Sequence, residues 1–241
     1  MSKGTRKSSC PVNALGRKAR KIGYIDPLEY YLIVCEGKKT EPEYFKEIKD
    51  LINAHYDHRV EVKQVAIDIR GEATNTLFLL ERAKQYVEEL RGQVTQVWLV
   101  YDKDDFPPDR FDTTQSEAGR LSRESGINFN VAWSNQCIEY WFLLHFENLQ
   151  SDLTRDHYIR KLNGHFERVG IGRYRKNRSK MFSLLLKHGN LELAIRWAKQ
   201  RMLDHVGKTP SQSVPATRVH ELVEELSRYI PKIKGRLIKT E

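Results

Sequence analysis

Two short apolar runs, each followed by acidic residues, most constrain how this chain folds. The first run is Tyr30–Cys35, and Glu36 and Gly37 follow it. The second is Val97–Tyr101, and Asp102 follows it. Continuous apolar runs of this kind are typical of strands buried on both faces of a parallel sheet. Because ligands bind beyond the carboxyl ends of such strands, we expect Glu36 and Asp102 at a functional edge of the sheet.

Helical patterns alternate with strand patterns along the first half of the chain. Thr40 and Glu43 have the spacing of a capping box, and apolar residues then recur at helical spacing. The segment 60–69 alternates like a strand, and apolar residues over 77–90 form a helical stripe. The pattern therefore predicts two β-then-α units before the second apolar run.

The rest of the chain begins with one more such unit and then becomes helical. A helix is predicted over 113–125 and a fourth strand over 127–133. Four βα units predict an α/β fold with a mostly parallel, Rossmann-like sheet flanked by helices. Beyond Asn135, further helical stripes cover 138–146, 184–202 and 219–230.

These patterns divide the chain into three segments. Residues 1–27 are basic and lack periodicity, which predicts a flexible N-terminal arm. Residues 28–135 form the α/β core, and residues 136–241 form a helical extension that completes the same domain. Within the extension, 207–218 is rich in Gly, Pro, Ser and Thr, and a loop of this length is more often functional or mobile than incidental.

The charge balance of the chain favours a polyanionic partner. It carries 41 Lys and Arg residues against 32 Asp and Glu residues, which is a formal net charge of +9. Such a positive field attracts nucleic acid, although the same charge also serves solubility alone.

The cysteines and the hydropathy pattern indicate a cytoplasmic protein. Cys10, Cys35 and Cys137 match neither a disulfide framework nor a zinc pattern, so a reducing compartment is expected. The basic N-terminus is not followed by the apolar core of a signal peptide, and no apolar run approaches the roughly 20 residues that span a bilayer. We therefore expect neither export nor contact with a membrane.

The acidic residues after the strands predict a metal site. Side chains alternate along an extended chain, so Asp102 and Asp104 point to one side and Asp105 to the other. Together with Glu36 they form a set of hard oxygen donors that suits Mg²⁺ or Mn²⁺. The alternative interpretation is that Glu36 caps the following helix and that the aspartates only turn the chain.

Three ordered blocks of this sequence resemble a known family. A Glu-Gly pair after one apolar strand and Asp-x-Asp after a later one resemble the Toprim signature of topoisomerases, primases and OLD-family nucleases. A closer similarity is to the RloB family, and it covers about 28–230. The matching blocks are Ile33–Phe45, Tyr101–Asp105 and Ser134–Phe146. Gln136 departs from the family pattern, which commonly has proline there.

The resemblance implies both an activity and a biological setting. In Toprim families the Glu and the Asp pair hold catalytic metal, which here implies Glu36, Asp102 and Asp104. RloB-like proteins are often encoded beside an ATPase in bacterial restriction or abortive-infection loci, which implies phage defence with an ATPase partner. The loop before Glu41 is one residue longer than in OLD nucleases, so Glu41 is interpreted first as an acid at a helix N-terminus.

The expected chemistry is metal-dependent hydrolysis of a phosphodiester in DNA or RNA. Glu139 lies in the third matching block, where it would orient water, act as a general base or complete the coordination. Its alternative is a solvent-exposed acid on a helix. A competing hypothesis for the whole protein is a non-catalytic sensor of nucleic acid or nucleotides that serves an ATPase.

Two basic groups are candidates for binding nucleic acid. Lys38 and Lys39 follow Glu36 directly and are placed to meet a phosphate. A second group lies in a basic run over 168–180, where the density of charge suits a phosphate backbone and the tyrosine suits stacking on a base. Its candidate residues are Arg173, Tyr174, Arg175, Lys176, Arg178 and Lys180. A solvated surface turn explains the same residues equally well.

Other catalytic classes find no support in the sequence. None of the 11 tyrosines lies in a topoisomerase motif, and no nucleotide-handling assembly of a primase is evident. His145, His157 and His165 form no triad or metal-ligand pattern and are expected to be structural or exposed. Oligomeric state does not follow from these patterns.

Overall fold

The computed structural model describes residues 29–56, 65–72, 76–104, 107–176, 178–230, 232–233 and 236–237. The predicted N-terminal arm, the orientation of Asp105 and the first part of the predicted strand 60–69 lie outside the described residues.

The chain alternates strands and helices and then becomes mainly helical. The first half contains β1 (Glu29–Cys35), α1 (Thr40–Tyr56), β2 (Val65–Gly71), α2 (Thr76–Glu89), β3 (Gln96–Asp102), α3 (Pro108–Ser125) and β4 (Asn128–Asn135). The second half contains α4 (Glu139–Leu143), α5 (Arg155–Arg168), α6 (Met181–His188), α7 (Leu191–Asp204), a 3-10 turn (Pro210–Gln212), β5 (Ala216–Thr217), α8 (Val219–Ser227), β6 (Lys232–Ile233) and β7 (Arg236–Leu237).

The main sheet has the strand order β2-β1-β3-β4-β5. The first four strands are parallel, and β5 pairs antiparallel with β4. This order confirms the predicted α/β fold with a mostly parallel, Rossmann-like sheet. Because the chain leaves β1 for β2 on one side and returns to β3 on the other, the order reverses between β1 and β3.

The two apolar runs form the strands β1 and β3, and both faces of these strands are covered by other elements. Alternate residues of β1 enter different cores: Ile33 packs with α1, α4 and the later helices, whereas Val34 packs with α2 and α3. Both faces therefore require apolar side chains, and fully burying each one contributes about 1.5–3 kcal/mol. Continuous burial, and not alternation, is the pattern of a central parallel strand.

Several predicted helices have different bounds in the structure. The prediction of one helix over 184–202 is wrong, because α6 ends before Gly189 and α7 begins at Leu191. The Asn190 side chain accepts a hydrogen bond from the Leu193 N–H at 2.9 Å and so caps α7. The stripe over 138–146 is helical only over α4, and α5 is a helix that the pattern did not predict.

One strand of the second half joins the main sheet. Thr217 of β5 pairs with Ser134 of β4, and their hydroxyl oxygens lie 3.0 Å apart. The helical extension therefore also contributes one short strand to the main sheet. No helix among the described residues has the length and apolar character needed to cross a membrane.

Candidate metal centre

Glu36 and Asp102 meet where the strand order reverses. The last ladder pair between β1 and β3 is Cys35 with Val100, and the Glu36 N–H then donates to the Val100 carbonyl at 2.8 Å. The Glu36 carboxylate in turn accepts a hydrogen bond from the Asp102 N–H at 3.1 Å. The two acids therefore flank the crevice in which open α/β sheets bind ligands.

The side chains of Asp102 and Asp104 both lie against the guanidinium group of Arg155. Asp102 is buried, and its Oδ2 accepts a hydrogen bond from the Ile138 N–H at 3.2 Å. The Arg155 Nη2 lies 3.6 Å from that oxygen and also donates to Asp104 Oδ1. The structure thus places both aspartates against one guanidinium, on α5, which sequence reasoning did not include in the site.

Glu41 and Glu139 are buried beside these aspartates. Glu41 lies in the first turn of α1, where an acid was expected, but it is also buried and lies close to other carboxylates. Gly37 makes room for it, because a Cβ at position 37 would collide with the Glu41 carboxylate. Glu139 is 1% exposed and accepts a hydrogen bond from the Tyr174 hydroxyl at 2.8 Å, so its interpretation as a solvent-exposed helix acid is wrong.

Burial and mutual repulsion raise the pKa values of three of these acids. Burial raises the pKa of Glu36 to about 7, and the charge of Glu41 adds to the rise. Burial also raises the pKa of Asp102 well above its usual range, and Glu41 and Glu139 add to it. The pKa of Glu41 is raised by its burial and by Glu139, while Lys176 and Arg155 oppose the rise. Burial is the main cause of these shifts, and the neighbouring carboxylates add to them.

The acidic cluster offers the oxygen donors that a hard divalent cation needs, but its side chains are not arranged around one common point. Carboxylate oxygens are the hard donors that Mg²⁺ and Mn²⁺ take. Within the described ranges, however, no three His, Cys, Asp or Glu side chains converge on a common point. The predicted converging set of Glu36, Asp102 and Asp104 is therefore not formed, because Arg155 occupies the aspartates and Glu36 bonds to the backbone of β3.

Arg155 has one donor left without a partner. Its Nε is buried and finds no hydrogen-bond partner among the described residues, although its side chain is 31% exposed overall. Arg155 begins α5, which lies about 50 residues after Asp104 in a segment that carries no motif. Only the packing of α5 beside α4 reveals that this arginine belongs to the site.

The basic run over 168–180 lies partly beside the site and partly within the core. Arg173, Arg175, Lys176 and Lys180 are exposed, and the charge of Lys176 opposes the rise in the pKa of Glu41. Tyr174 is only 6% exposed and packs in the core, so the predicted stacking of a base on this ring is wrong. The sequence did not distinguish these positions, because a tyrosine between arginines is typical of both settings.

Other predicted contacts have different surroundings. Lys38 and Lys39 are exposed in the loop after Glu36. The Arg178 guanidinium donates to the carbonyls of Ile171 and Arg173 and so holds its own loop together. These two lysines are open to a ligand, whereas Arg178 is already engaged.

The three histidines named in the sequence analysis differ in their surroundings. Burial lowers the pKa of His145 to about 4, and its Nδ1 lies 3.1 Å from the Trp141 carbonyl oxygen. His165 stacks on Phe146, and His157 is exposed.

Removing the Tyr174 hydroxyl tests how Glu139 is held. We expect Tyr174→Phe to lower the free energy of unfolding by about 1–3 kcal/mol, because a buried acceptor is left unsatisfied. Tyr140→Phe is the matched control, since the Tyr140 hydroxyl donates to the Leu149 carbonyl at 3.1 Å, outside the acidic cluster. Both variants should lose stability in urea titrations, and Tyr174→Phe alone should change the affinity for Mn²⁺ in calorimetry. Equal Mn²⁺ affinity in both variants would show that Glu139 does not contribute to metal binding.

Comparison with known proteins gave one match. A family model described as RloB-like protein matches residues 31–226, which is most of the chain. Neither the comparison with curated proteins nor the comparison with solved structures found a match.

Proposed function

We propose a metal-dependent nuclease activity for this chain, which belongs to the RloB-like protein family. The observation that carries the proposal is the group of carboxylates at the point where the strand order reverses. Asp102, Glu41 and Glu139 are buried there, and Glu36 is hydrogen-bonded to the backbone of Asp102. Keeping several ionised carboxylates out of water is costly unless a cation lies close to them.

Glu36, Asp102 and Asp104 would hold Mg²⁺ or Mn²⁺ once Arg155 no longer occupies the two aspartates. When bound, a divalent cation activates a water molecule and offsets the charge that develops on the scissile phosphate. The Tyr174 hydroxyl fixes the position of Glu139, which suits it to accept a proton from that water. If the metal displaced Arg155 from Asp104, the guanidinium would be available to a phosphate oxygen.

The positive groups around this crevice suit a nucleic-acid substrate. Lys38 and Lys39 are exposed in the loop after Glu36, and the charge of Lys176 acts on Glu41. The formal net charge of +9 adds a long-range attraction for a phosphate backbone. These lysine side chains would contact the charged phosphate backbone and would not distinguish one base from another. Both DNA and RNA are therefore candidate substrates.

The setting we propose is bacterial antiphage defence in the cytoplasm, together with an ATPase encoded nearby. Its support is the family resemblance carried by the three sequence blocks, to which the match over 31–226 adds. An ATPase that licenses cleavage would leave the purified chain inactive until the partner is added.

The test is a cleavage assay with labelled DNA, tRNA and single-stranded RNA, in Mg²⁺, in Mn²⁺ and in EDTA. Each reaction is run with and without a neighbouring ATPase. We expect wild type to cleave one class of substrate only with metal, and Glu36→Gln to be inactive under the same conditions. Survival of every substrate in the presence of partner and metal would reject the nuclease.

A non-catalytic sensor is the second candidate, and the position of Arg155 favours it. An arginine that already neutralises Asp102 and Asp104 leaves the crevice, within the described ranges, without a formed metal site. A sensor should bind nucleic acid equally well after Asp102→Asn and lose binding when Arg175 and Lys176 are neutralised. A nuclease should lose cleavage after Asp102→Asn, and this dependence on Asp102 separates the two candidates.

A further inference from the structure

The strand β2 forms one edge of the main sheet. It pairs with β1 over its whole length on one side, and no strand among the described residues pairs with its other side. The edge of a sheet presents N–H and C=O groups with which another strand can pair, and proteins commonly protect such edges with proline or lysine. The sequence of β2, Val65–Gly71, contains neither. This edge is therefore a candidate surface for strand pairing.

The hydrogen bonds to β1 determine which backbone groups of β2 point outward. The Glu72 N–H, directly after β2, donates to the Cys35 carbonyl of β1 at 3.0 Å. Backbone groups of successive residues in a strand point to alternate sides, so the even-numbered residues of β2 direct their N–H and C=O groups to β1. The residues that direct these groups outward are Ile67, Ile69 and Gly71.

The two faces of β2 have different side chains. Asp68 and Arg70 lie on one face, where the Arg70 Nη2 is 2.8 Å from the Asp68 Oδ2 and the guanidinium lies over the Tyr86 ring of α2. Their side chains are 23% and 43% exposed. Ile67 and Ile69 lie on the other face and pack in the core that includes α1. One face of this edge thus carries an acid and a base two residues apart.

A second copy of the same strand can pair with this edge in an antiparallel register centred on Ile69. A two-fold axis at Ile69 places this residue opposite its own copy, and both residues direct their N–H and C=O groups to each other. Asp68 of each copy then lies opposite Arg70 of the other copy. These are the positions without backbone hydrogen bonds, where opposing side chains approach most closely. Opposite charges at such positions stabilise the pairing of two strands.

The neighbouring registers place like charges opposite each other. An axis at Asp68 places this aspartate opposite its own copy, and an axis at Arg70 does the same for the arginine. Like charges directly opposite each other destabilise a strand pair. Registers that are shifted further pair fewer residues of β2. The alternation of charge therefore selects the register that is centred on Ile69.

We infer that β2 is the surface through which two copies of this chain form a symmetric dimer with one continuous sheet. Arg70 uses its Nε and Nη2 on Asp68 of its own strand, and a guanidinium has further N–H groups for a second carboxylate. Because the two β2 strands are antiparallel, the carboxyl edges of the two sheets point in opposite directions. Each acidic cluster is then built from one chain alone, so the dimer does not depend on the proposed nuclease.

Sedimentation velocity of the full chain at low salt tests the inference over a series of concentrations. We expect wild type to change from the mass of one chain to the mass of two as its concentration rises. Asp68→Arg leaves two basic side chains on the edge, and Arg70→Asp leaves two acidic ones. Each variant alone should dimerise at least about tenfold more weakly, because like charges then face each other at both positions.

An equal mixture of Asp68→Arg and Arg70→Asp should recover the dimer, since opposite charges then meet at both positions. The ion pair within one chain is broken in both variants, so only a contact between chains explains the recovery. Glu117→Arg and Arg120→Asp are the matched controls, because they break an exposed Arg–Glu pair on α3 that is also 2.8 Å long. Each control should dimerise as wild type does.

Hydrogen exchange of single amides, followed by NMR, tests the wild-type chain without a substitution. The outward N–H groups of Ile67, Ile69 and Gly71 should exchange more slowly as the dimer forms, whereas those of Asp68 and Arg70 face β1 and should not change. Full protection of the outward groups in the monomer would assign this edge to another segment of the chain and overturn the inference. It is also overturned if wild type remains a monomer, or if the mixture of the two variants does not dimerise.

Discussion

Asp102→Asn is expected to abolish metal-dependent cleavage without unfolding the protein. Asp102 lies at the end of β3, is buried, and lies close to Glu36, Glu41 and Glu139. An amide is a much weaker ligand for Mg²⁺ or Mn²⁺ than a carboxylate, and a catalytic metal contributes several kcal/mol to the transition state. We therefore expect at least about a hundredfold loss of cleavage, since each 1.36 kcal/mol is tenfold in rate.

The same substitution should leave the stability of the metal-free protein unchanged or higher. The carbonyl oxygen of the new amide side chain can still accept the hydrogen bond from the Ile138 N–H, so the backbone contact survives. A neutral side chain also removes one buried negative charge from an acidic cluster, which relieves desolvation and repulsion. Urea unfolding without metal measures this directly.

Asp50→Asn is the matched control for both measurements. Asp50 is exposed on α1, and its partner is Lys46 at 3.7 Å, so it lies outside the acidic cluster. It should keep wild-type cleavage and Mn²⁺ affinity. If Asp102→Asn retained wild-type Mn²⁺ affinity in calorimetry, Asp102 would not be a metal ligand, and the proposed centre would be wrong.

Arg155→Ala is expected to tighten Mn²⁺ binding while it destabilises the metal-free protein. In the structure, the Arg155 guanidinium occupies the carboxylates of Asp102 and Asp104. A cation must compete with it for these oxygens, so its removal should increase Mn²⁺ affinity by about tenfold, which corresponds to about 1.4 kcal/mol. Metal affinity, and not cleavage, is the primary measurement, because Arg155 is also the candidate contact for phosphate.

The stability change has the opposite sign and should depend on metal. Removing one partner of a fully buried ion pair costs about 3–5 kcal/mol, but Arg155 and Asp104 are each 31% exposed, so we expect about 1–3 kcal/mol. Saturating Mn²⁺ should recover most of this loss, because the metal replaces the missing charge and stabilises the folded state by mass action. Thermal melts with and without Mn²⁺ measure the recovery.

Arg160→Ala controls for the loss of a basic residue on the same helix, since Arg160 is exposed on α5. It should change neither Mn²⁺ affinity nor the metal dependence of stability. Weaker Mn²⁺ binding by Arg155→Ala would contradict the competition, and would instead assign Arg155 a supporting role in the bound state.

The local sequence was sufficient to predict the central strands of the sheet, because their burial is visible in a short run of residues. Tyr30–Cys35 and Val97–Tyr101 are apolar throughout because both faces of a central parallel strand are covered, and this pattern is visible without the fold. The positions of Glu36 and Asp102 follow from it, because a residue directly after a parallel strand lies at the carboxyl edge. The alternation of strands and helices likewise predicted the α/β sheet.

Helix boundaries depended on signals that the apolar stripe concealed. The stripe over 184–202 continues across Gly189 and Asn190, yet the chain breaks there because the Asn190 N–H donates to the His145 carbonyl at 2.8 Å. Glycine often follows the end of a helix, and asparagine often precedes the start of the next one. Gly189 and Asn190 are therefore the sequence signal that could have predicted this break.

Only the tertiary structure decided which other residues complete the acidic cluster. Arg155 and Tyr174 reach Asp104 and Glu139 from 51 and 35 residues away, and neither lies in a motif. Whether a tyrosine in a basic run faces solvent or a buried acid depends on the packing of distant helices, because the local pattern is the same in both cases. The sequence specifies which side chains are charged and what chemistry they offer. Long-range packing decides which of them are buried and close together, and it brings these separate acids into one site.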